Sequence, residues 1–436
     1  MTGTDERVRQ ESTGTGTPAV VWPGVQPRII RSAPGVEDLA AYVETGGYQD
    51  LGDPDALLDD VDRSGLLGRG GAAFPLAVKL RTVRDAGRAG SSTVVLANGE
   101  EGEPASVKDK WLLRNRPHLL LDGVRLAAAV VGADHGHVYV SDVQAAEALN
   151  TALKAAPLTD LAVTVTTVDP GYVAGEETAA VRAVNGGPAK PTDKPPRPFE
   201  EGVRGLPTLV SNVETLANLP FILRNGSDAF RAQGTSASPG TFLATVTGGG
   251  RPATLYELPH GTPVTELLVT HGISVDDVKG VLMGGYFAGL LNREVLDATL
   301  DHETMRRLNS GLGCGAVAVI TDDCPVAVAA SVLAYFDREN AGQCGSCFNG
   351  TAAMAAVTDG LRRGTATDED LTRLERWSVV LRGRGACATL DAATNVAASL
   401  LRAFPHDVAR HVSGTCDSCG AHAYSALRPY EVEAVS

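Results

Sequence analysis

The sequence predicts an α/β domain followed by a small β-grasp domain and a C-terminal helical bundle. Three observations predict it. Strand-like apolar runs alternate with helix-like stretches over residues 31–238. A strand, turn, strand, helix, strand order follows over 239–300. From 301 to 410 the pattern is mostly helical. The length of 436 residues agrees, because it exceeds what one hydrophobic core usually organises.

The opening segment, MTGTDERVRQESTGTGTPAV, is polar and rich in Gly and Thr. Residues 1–30 are therefore expected to be disordered. They hold no apolar stretch of signal-peptide type, and no run in the chain suits a membrane span, so a cytoplasmic location is expected. In the first unit the strand candidates are 93–97 (TVVLA), 137–141 (HVYVS) and 161–168 (LAVTVTTV), with a helix at 145–155 between the last two. The Pro-rich stretch 188–207 reads as an ordered loop or arm. In the second unit TFLATVTGG and ATLYELP read as strands, TPVTELLVTHG as a helix and VKGVLMGG as a strand. Helices are then expected at 325–338, 345–363, 368–381 and 388–403, before a Cys/His-containing tail at 411–436.

A formal charge of −14 excludes a nucleic-acid partner, which needs a basic face. The 7 cysteines all lie in the last third, from Cys314 onwards. An odd count in an expectedly cytoplasmic chain argues against a disulfide framework.

Four segments of the first unit carry candidate binding chemistry. Segment 65–80 (GLLGRGGAAFPLAVKL) places Gly68, Gly70 and Ala73 at GxGxxA spacing. A Rossmann reading requires a buried strand before it, and the preceding LLDDVDRSGLL is acidic and helix-like, so that reading fails. The loop still suits an anion: its glycines let backbone N–H groups approach, and Arg69 and Lys79 supply charge. A tight structural turn is the alternative. Strand 93–97 leads into NGEEGEPASVKDK, where Asn98 offers an amide for a heterocycle edge and the acids are Glu100, Glu101, Glu103 and Asp109. Ligands of α/β sheets bind beyond the carboxyl ends of strands, whereas a solvated loop is the bland reading. A second acidic cluster, GYVAGEETAA, puts Glu176 and Glu177 at a helix start. Ser211, Asn212 and Thr215 stand at another helix start, where a plain N-cap would also explain them.

Taken in order, GRGGAAFP, NGEEGEP…KD, GYVAGEET and SNVET resemble the NADH-binding flavoprotein subunit of respiratory complex I, a subunit type shared with NAD-linked hydrogenases and formate dehydrogenases. The resemblance spans roughly residues 35–405. It implies that the first unit is an α/β FMN-binding domain. Gly68, Arg69, Gly70, Gly71 and Lys79 would hold the FMN phosphate, with Ser211, Asn212 and Thr215 closing that end. Asn98, Glu100 and Glu101 would face the isoalloxazine and ribityl side. Tyr172, Gly175, Glu176 and Glu177 would line the contact between flavin and nicotinamide. Phe74, Glu103 and Lys194 would meet the nucleotide. Glu101 and Glu177 are the catalytic candidates, although hydride transfer between stacked rings needs orientation more than acid–base chemistry.

The sequence departs from the family at two places. The family's cluster motif, E-S-C-G-x-C-x-x-C, is here Glu339-Asn340-Ala341-Gly342-Gln343-Cys344-Gly345-Ser346-Cys347. Ala341 replaces the first cysteine, so Cys344, Cys347 and Cys387 are the remaining candidate metal ligands for a cluster that normally takes four thiolates. Cys416 and Cys419 of the tail would complete the site in one reading. In others the cluster has three cysteines, or is lost, or the tail binds zinc with His411 and His422. On the nucleotide side, Thr82 and Arg197 stand where the family carries further aromatics. Arg197 opens NADPH as a donor, and Glu103 favours NADH.

The resulting expectation is an NAD(P)H dehydrogenase that takes hydride on FMN and passes single electrons to an iron–sulfur cluster or to a separate ferredoxin-like or membrane partner. A cluster-free NAD(P)H–FMN oxidoreductase and a non-catalytic docking scaffold are the alternatives.

Overall fold

The computed structural model describes residues 16–433 except 32–34, 89, 91, 157 and 413. Its strands, in chain order, are β1 (Ala19–Val21), β2 (Thr93–Asn98), β3 (Ala133–Val140), β4 (Ala162–Thr167), β5 (Thr208–Asn212), β6 (Thr241–Gly248), β7 (Thr254–Pro259), β8 (Thr262–Pro263), β9 (Gly280–Met283), β10 (Leu290–Asn292), β11 (Thr299–Leu300) and β12 (Ala316–Ile320).

The first five residues of β2 are buried, as a strand covered by helices on both faces requires. β2 is the centre of a parallel sheet of order β4-β3-β2-β5. The chain runs outward through β2, β3 and β4, then returns to lay β5 on the other side of β2. The order therefore reverses between β2 and β5, and such a reversal opens a crevice at the carboxyl ends of the two strands. Asn98 and Asn212 are register partners at that edge. The strand Thr208–Asn212 departs from the expectation at Ser211, Asn212 and Thr215, which was a helix start alone. Its helix begins directly after it, with Asn212 as N-cap accepting from Glu214 N.

A second sheet has the order β1-β7-β6-β12-β9-β10. It exceeds the small unit expected over 239–300, because β12, from the segment assigned to the bundle, inserts between β6 and β9. β1 also corrects an expectation. Residues 16–30, placed by composition in the disordered leader, are ordered, and β1 pairs in parallel with β7. Buried Glu257 explains why: its carboxylate accepts from the backbone N–H groups of Arg28 (2.9 Å), Ile29 (3.1 Å) and Ile30 (2.8 Å) and from Thr241 Oγ1 (3.0 Å). Residues 1–15 lie outside the described residues.

The helices Pro325–Glu339, Gly345–Arg362, Asp368–Val380 and Thr389–Ala403 form the C-terminal bundle close to the expected bounds. Their shared core includes Val332, Phe336, Met354, Leu374, Leu390 and Val396.

Candidate functional site

Three candidate segments leave the first sheet at its carboxyl edge: 98–103 after β2, 171–177 after β4 and 211–215 at the end of β5. The glycine loop comes from elsewhere in the chain and joins them. The bridge Leu67↔Pro75 and the bond Gly68 N to Phe74 O (2.9 Å) close it into a ring. Arg69 N donates to Thr215 Oγ1 at 2.8 Å, and a Cβ on Gly70 would lie 3.1 Å from Asn212 Cβ. The loop thus sits against the β5–helix junction. Gly71 has φ +114°, which favours glycine.

Lys79, in the helix Leu76–Arg88, reaches the same corner and donates to Val210 O at 3.1 Å. Among the described residues no carboxylate pairs with its ammonium. Burial lowers its pKa. Arg69 behaves differently from its expected role. Its side chain is buried and donates to Thr241 O (2.9 Å) and Pro239 O (3.4 Å), which ties the loop to the second sheet. Its Nε and Nη1 make no hydrogen bond.

The acidic loop packs on 171–177. Asn98 Nδ2 donates to Gly175 O (2.7 Å), and Glu100 Oε1 accepts from Gly171 N (3.3 Å). A Cβ on Gly175 would fall 2.7 Å from Glu100 Oε2, and one on Gly102 would fall 2.6 Å from Gly171 O, so both glycines permit close approach. Glu100 Oε2 is buried without a partner, and burial pushes the carboxyl up to about 8. Glu176 caps the helix Glu177–Val184 and pairs with Lys194 (2.6 Å), which also contacts Glu177 (3.1 Å). Ser211 is buried on β5.

Three further residues make contacts other than those expected. Both Glu101 oxygens are taken, one by Ser106 Oγ (2.5 Å) and the other by the N–H groups of Asp109 (3.1 Å) and Lys110 (3.0 Å). Glu101 holds the start of the next helix rather than facing a reacting atom. Glu103 accepts from Tyr286 N (2.9 Å) and Ala105 N (3.3 Å), so its carboxylate fastens the loop to the second sheet; burial raises it to about 7. Tyr172 packs edge-on against Phe336 (5.1 Å) and Tyr335 (5.9 Å) of the bundle. Phe74, by contrast, is 46% exposed at the rim.

A charged network beneath the site went unread in the sequence. Lys108 is fully buried between Asp109 (2.6 Å) and Glu214 (3.0 Å). Asn212 Nδ2 donates to Asp109 Oδ2 (2.7 Å), and Glu214 Oε1 accepts from Leu243 N (2.9 Å). Burial opposes the ammonium, but the two carboxylates raise its pKa, while burial, offset by Lys108, lifts Asp109 to about 7. The signal lay in KD and NVET, each inside a recognised motif.

The cysteines form two groups. Cys344, Cys347 and Cys387 line a small recess with Pro191, Ala341, Gln343 and Ala386. Cys344 precedes the helix Gly345–Arg362, and its Sγ accepts from Ala386 N at 3.4 Å. Cys416 and Cys419 are not on this recess. They gather instead with Cys324 and His411, so the tail pair completes neither the expected cluster nor a site with His422.

Comparison with known proteins agrees with this geometry. Residues 61–221 match the Nuo51 FMN-binding domain, and residues 327–411 match the NADH-ubiquinone oxidoreductase-F iron-sulfur binding region. An NADH-quinone oxidoreductase subunit of Rhizobium meliloti (strain 1021) is 32% identical over 413 residues, covering 89% of this chain and 98% of that one. The chain belongs to the family of NADH-quinone oxidoreductase flavoprotein subunits. The family also reaches hydrogenases: NADP-reducing hydrogenase subunit HndC of Solidesulfovibrio fructosivorans is 30% identical, covering 91% of this chain and 85% of that one. A chain of an NAD+-reducing [NiFe]-hydrogenase in its H2-reduced state superimposes with TM-score 0.77 at 31% identity, covering 87% of this chain and 67% of that chain. As a member of this flavoprotein family the chain is an oxidoreductase, with the family's FMN-binding and iron–sulfur-binding regions both present. Among the described residues no helix is long and apolar enough to cross a membrane.

Proposed function

We propose that this chain oxidises a reduced nicotinamide nucleotide at an FMN site and delivers the electrons, through an iron–sulfur centre, to a separate acceptor protein. The observation that carries this reading is the convergence of four segments at the β2/β5 reversal of the first sheet. The residues fit the flavin chemically. Lys79 is a part-buried cation with no carboxylate ion-pair partner among the described residues, the glycine loop and Thr215 supply a phosphate corner, and the glycines at 102 and 175 let the acidic loop and segment 171–177 close on each other to form one wall. Bound there, FMN supplies acceptance of a hydride and release of electrons one at a time.

The chain's own residues orient and exclude. Gly68, Gly70, Gly71, Lys79, Ser211, Asn212 and Thr215 hold the phosphate end. Asn98, Glu100, Gly175, Glu176 and Glu177 border the ring. Glu100, neutral at neutral pH, presents a carboxyl that does not repel an electron-rich ring. Lys194 fixes both Glu176 and Glu177. Phe74 offers an exposed aromatic face to a nucleotide base. The three-cysteine recess fits a cluster in donor set: three thiols, one accepting an N–H bond, with Ala341 in place of the fourth. Its lining includes Pro191 of the arm that also carries Lys194, so it adjoins the ring end of the site. The named relatives are subunits, which supports a partner acceptor and a place in a larger assembly.

The test is anaerobic titration of the FMN-loaded protein with NADH and, separately, NADPH. The flavin absorbance is expected to bleach with at least one. No bleaching with either removes the oxidoreductase reading of the site.

A further inference from the structure

Four metal-type donors meet outside the three-cysteine recess. Cys324 stands between β12 and the helix Pro325–Glu339, and His411 follows the helix Pro405–Arg410. Cys416 caps the helix Asp417–His422, and Cys419 lies in its first turn. Their ligand atoms all lie within 4.8 Å of one another. We propose that Cys324, His411, Cys416 and Cys419 bind one Zn2+ ion in a closed tetrahedral site that fastens the C-terminal strap, residues 414–433, to the bundle.

The distances suit a single ion. With Zn–S bonds of about 2.3 Å and a Zn–N bond of about 2.05 Å, a tetrahedron has edges of about 3.8 Å between sulfurs and about 3.6 Å between sulfur and nitrogen. Cys324 Sγ lies 3.7 Å from His411 Nε2. A cubane cluster places each ligand on a different iron and spreads its thiolates wider. The second layer is also of metal-site type. His411 Nδ1 is 2.6 Å from Asp407 O, which fixes the proton on Nδ1 and leaves the Nε2 lone pair facing the sulfurs. Cys419 N donates to Cys416 Sγ at 3.4 Å. His411 and Cys324 are buried, which closes the site against solvent. Three thiols and one imidazole form a closed structural donor set.

The strap needs such a fastening. The helix Asp417–His422 buries none of its residues, and six residues do not make a stable helix alone. Past that turn the strap runs back to the acidic loop. Tyr424 stacks on Tyr430 (5.8 Å), Pro429 O accepts from Tyr286 Oη, and Arg338 donates to Leu427 O. Val432 N then donates to Pro104 O (3.0 Å), and Glu433 pairs with Arg114 (2.8 Å). Pro104 adjoins Glu103, so the ion anchors one end of a strap whose other end braces the acidic loop.

The experiment is metal analysis of the full chain purified without added metal, with cobalt substitution as a second readout. Wild type is expected to hold about one zinc per chain beside its iron, and cobalt-grown protein to show the visible bands of tetrahedral thiolate Co2+. Cys416→Ser with Cys419→Ser should reduce zinc at least tenfold and leave iron unchanged. Cys344→Ser should do the reverse. Chelation should raise amide exchange in 414–433 and at Ala105 and Ser106. The proposal falls if wild type binds neither zinc nor tetrahedral cobalt, if the double variant loses iron instead of zinc, or if thiol mapping finds a disulfide among these cysteines. The wild-type cobalt spectrum decides the matter even where the double variant does not fold.

Discussion

Glu100 is a buried carboxyl with an unpartnered oxygen at the candidate site. It is 7% exposed, and burial raises its pKa from 4.5 to about 8. The sign of the pH effect follows. Below pH 4.5 the group is protonated folded and unfolded, so it takes nothing from stability. Between about 4.5 and 8 the unfolded carboxyl ionises while the buried one resists, so stability falls as pH rises. Above 8 the loss is complete, up to about 5 kcal/mol on a scale of about 1.4 kcal/mol per unit. Glu103 and Asp109, both raised to about 7, act in the same direction. Denaturant melts of FMN-free protein should therefore weaken between pH 5 and 8, and Glu100→Gln should recover roughly 1–3 kcal/mol at pH 8 while changing little at pH 4.5. A flat wild-type profile would show that this carboxyl is solvated. Lys79 tests the other end of the site. A part-buried ammonium beside Val210 O, with no carboxylate ion-pair partner among the described residues, gains most when an anion arrives. Lys79→Ala should weaken FMN binding at least tenfold, about 1.4 kcal/mol, and Lys79→Arg less. Equal flavin retention in a fluorescence titration would move the phosphate elsewhere.

At the level of elements, one side chain holds the entry of the chain onto the second sheet. Glu257 on β7 satisfies three consecutive N–H groups of 28–30 while itself fully buried, and burial raises its pKa. Glu257→Ala strands those donors, so a loss of about 3 kcal/mol is expected, with faster amide exchange at Arg28–Ile30 before global unfolding. If exchange there is unchanged, the anchoring lies in the β1–β7 pairing instead. The same region shows why composition misleads about the leader. The polar, Gly/Thr-rich composition ends near Thr17, residues 18–27 are mostly apolar or Pro, and residues 28–30 are held by a carboxylate some 230 positions away. Elements with strong local periodicity were legible: β2, the helix Val143–Ala155 and the four bundle helices fall within a few residues of expectation. β5 was not, because five residues between a Pro-rich arm and an N-cap show no period of their own. Nor was β12 legible as part of the second sheet, since only pairing with β6 and β9 places it there. At the site, the motif positions converge as a group, but what each side chain holds was hidden. Glu101 reads as a ligand-facing acid in NGEEGEP and acts as a helix cap, and Cys324 finds His411 across 87 residues.

Across the whole molecule, the second sheet shares apolar core with both neighbours, through Leu243 and Leu255 towards the first domain and through Leu282, Ala318 and Ile320 towards the bundle, and further side chains tie the candidate segments across these junctions. Arg69 reaches from the glycine loop to the second sheet, Glu103 from the acidic loop to Tyr286, and Tyr172 from the third candidate segment to the bundle aromatics. These contacts set the flavin segments against the unit that holds Cys344, Cys347 and Cys387. Electron exit can therefore be separated from electron entry by substitution. Cys387 lies in the turn before the helix Thr389–Ala403, half-buried, and its loss leaves the four flavin segments untouched. Cys387→Ser should keep NAD(P)H-driven flavin bleaching and reduction of a small artificial acceptor within about twofold, because orientation at the flavin is unchanged. Iron content and transfer to the cognate protein acceptor should fall at least tenfold. Ala341→Cys should act oppositely, supplying a fourth thiolate and slowing iron loss in air. Should Cys387→Ser retain its iron and its full rate to the protein acceptor, the recess is no part of the electron path, and the flavin must discharge directly to the partner.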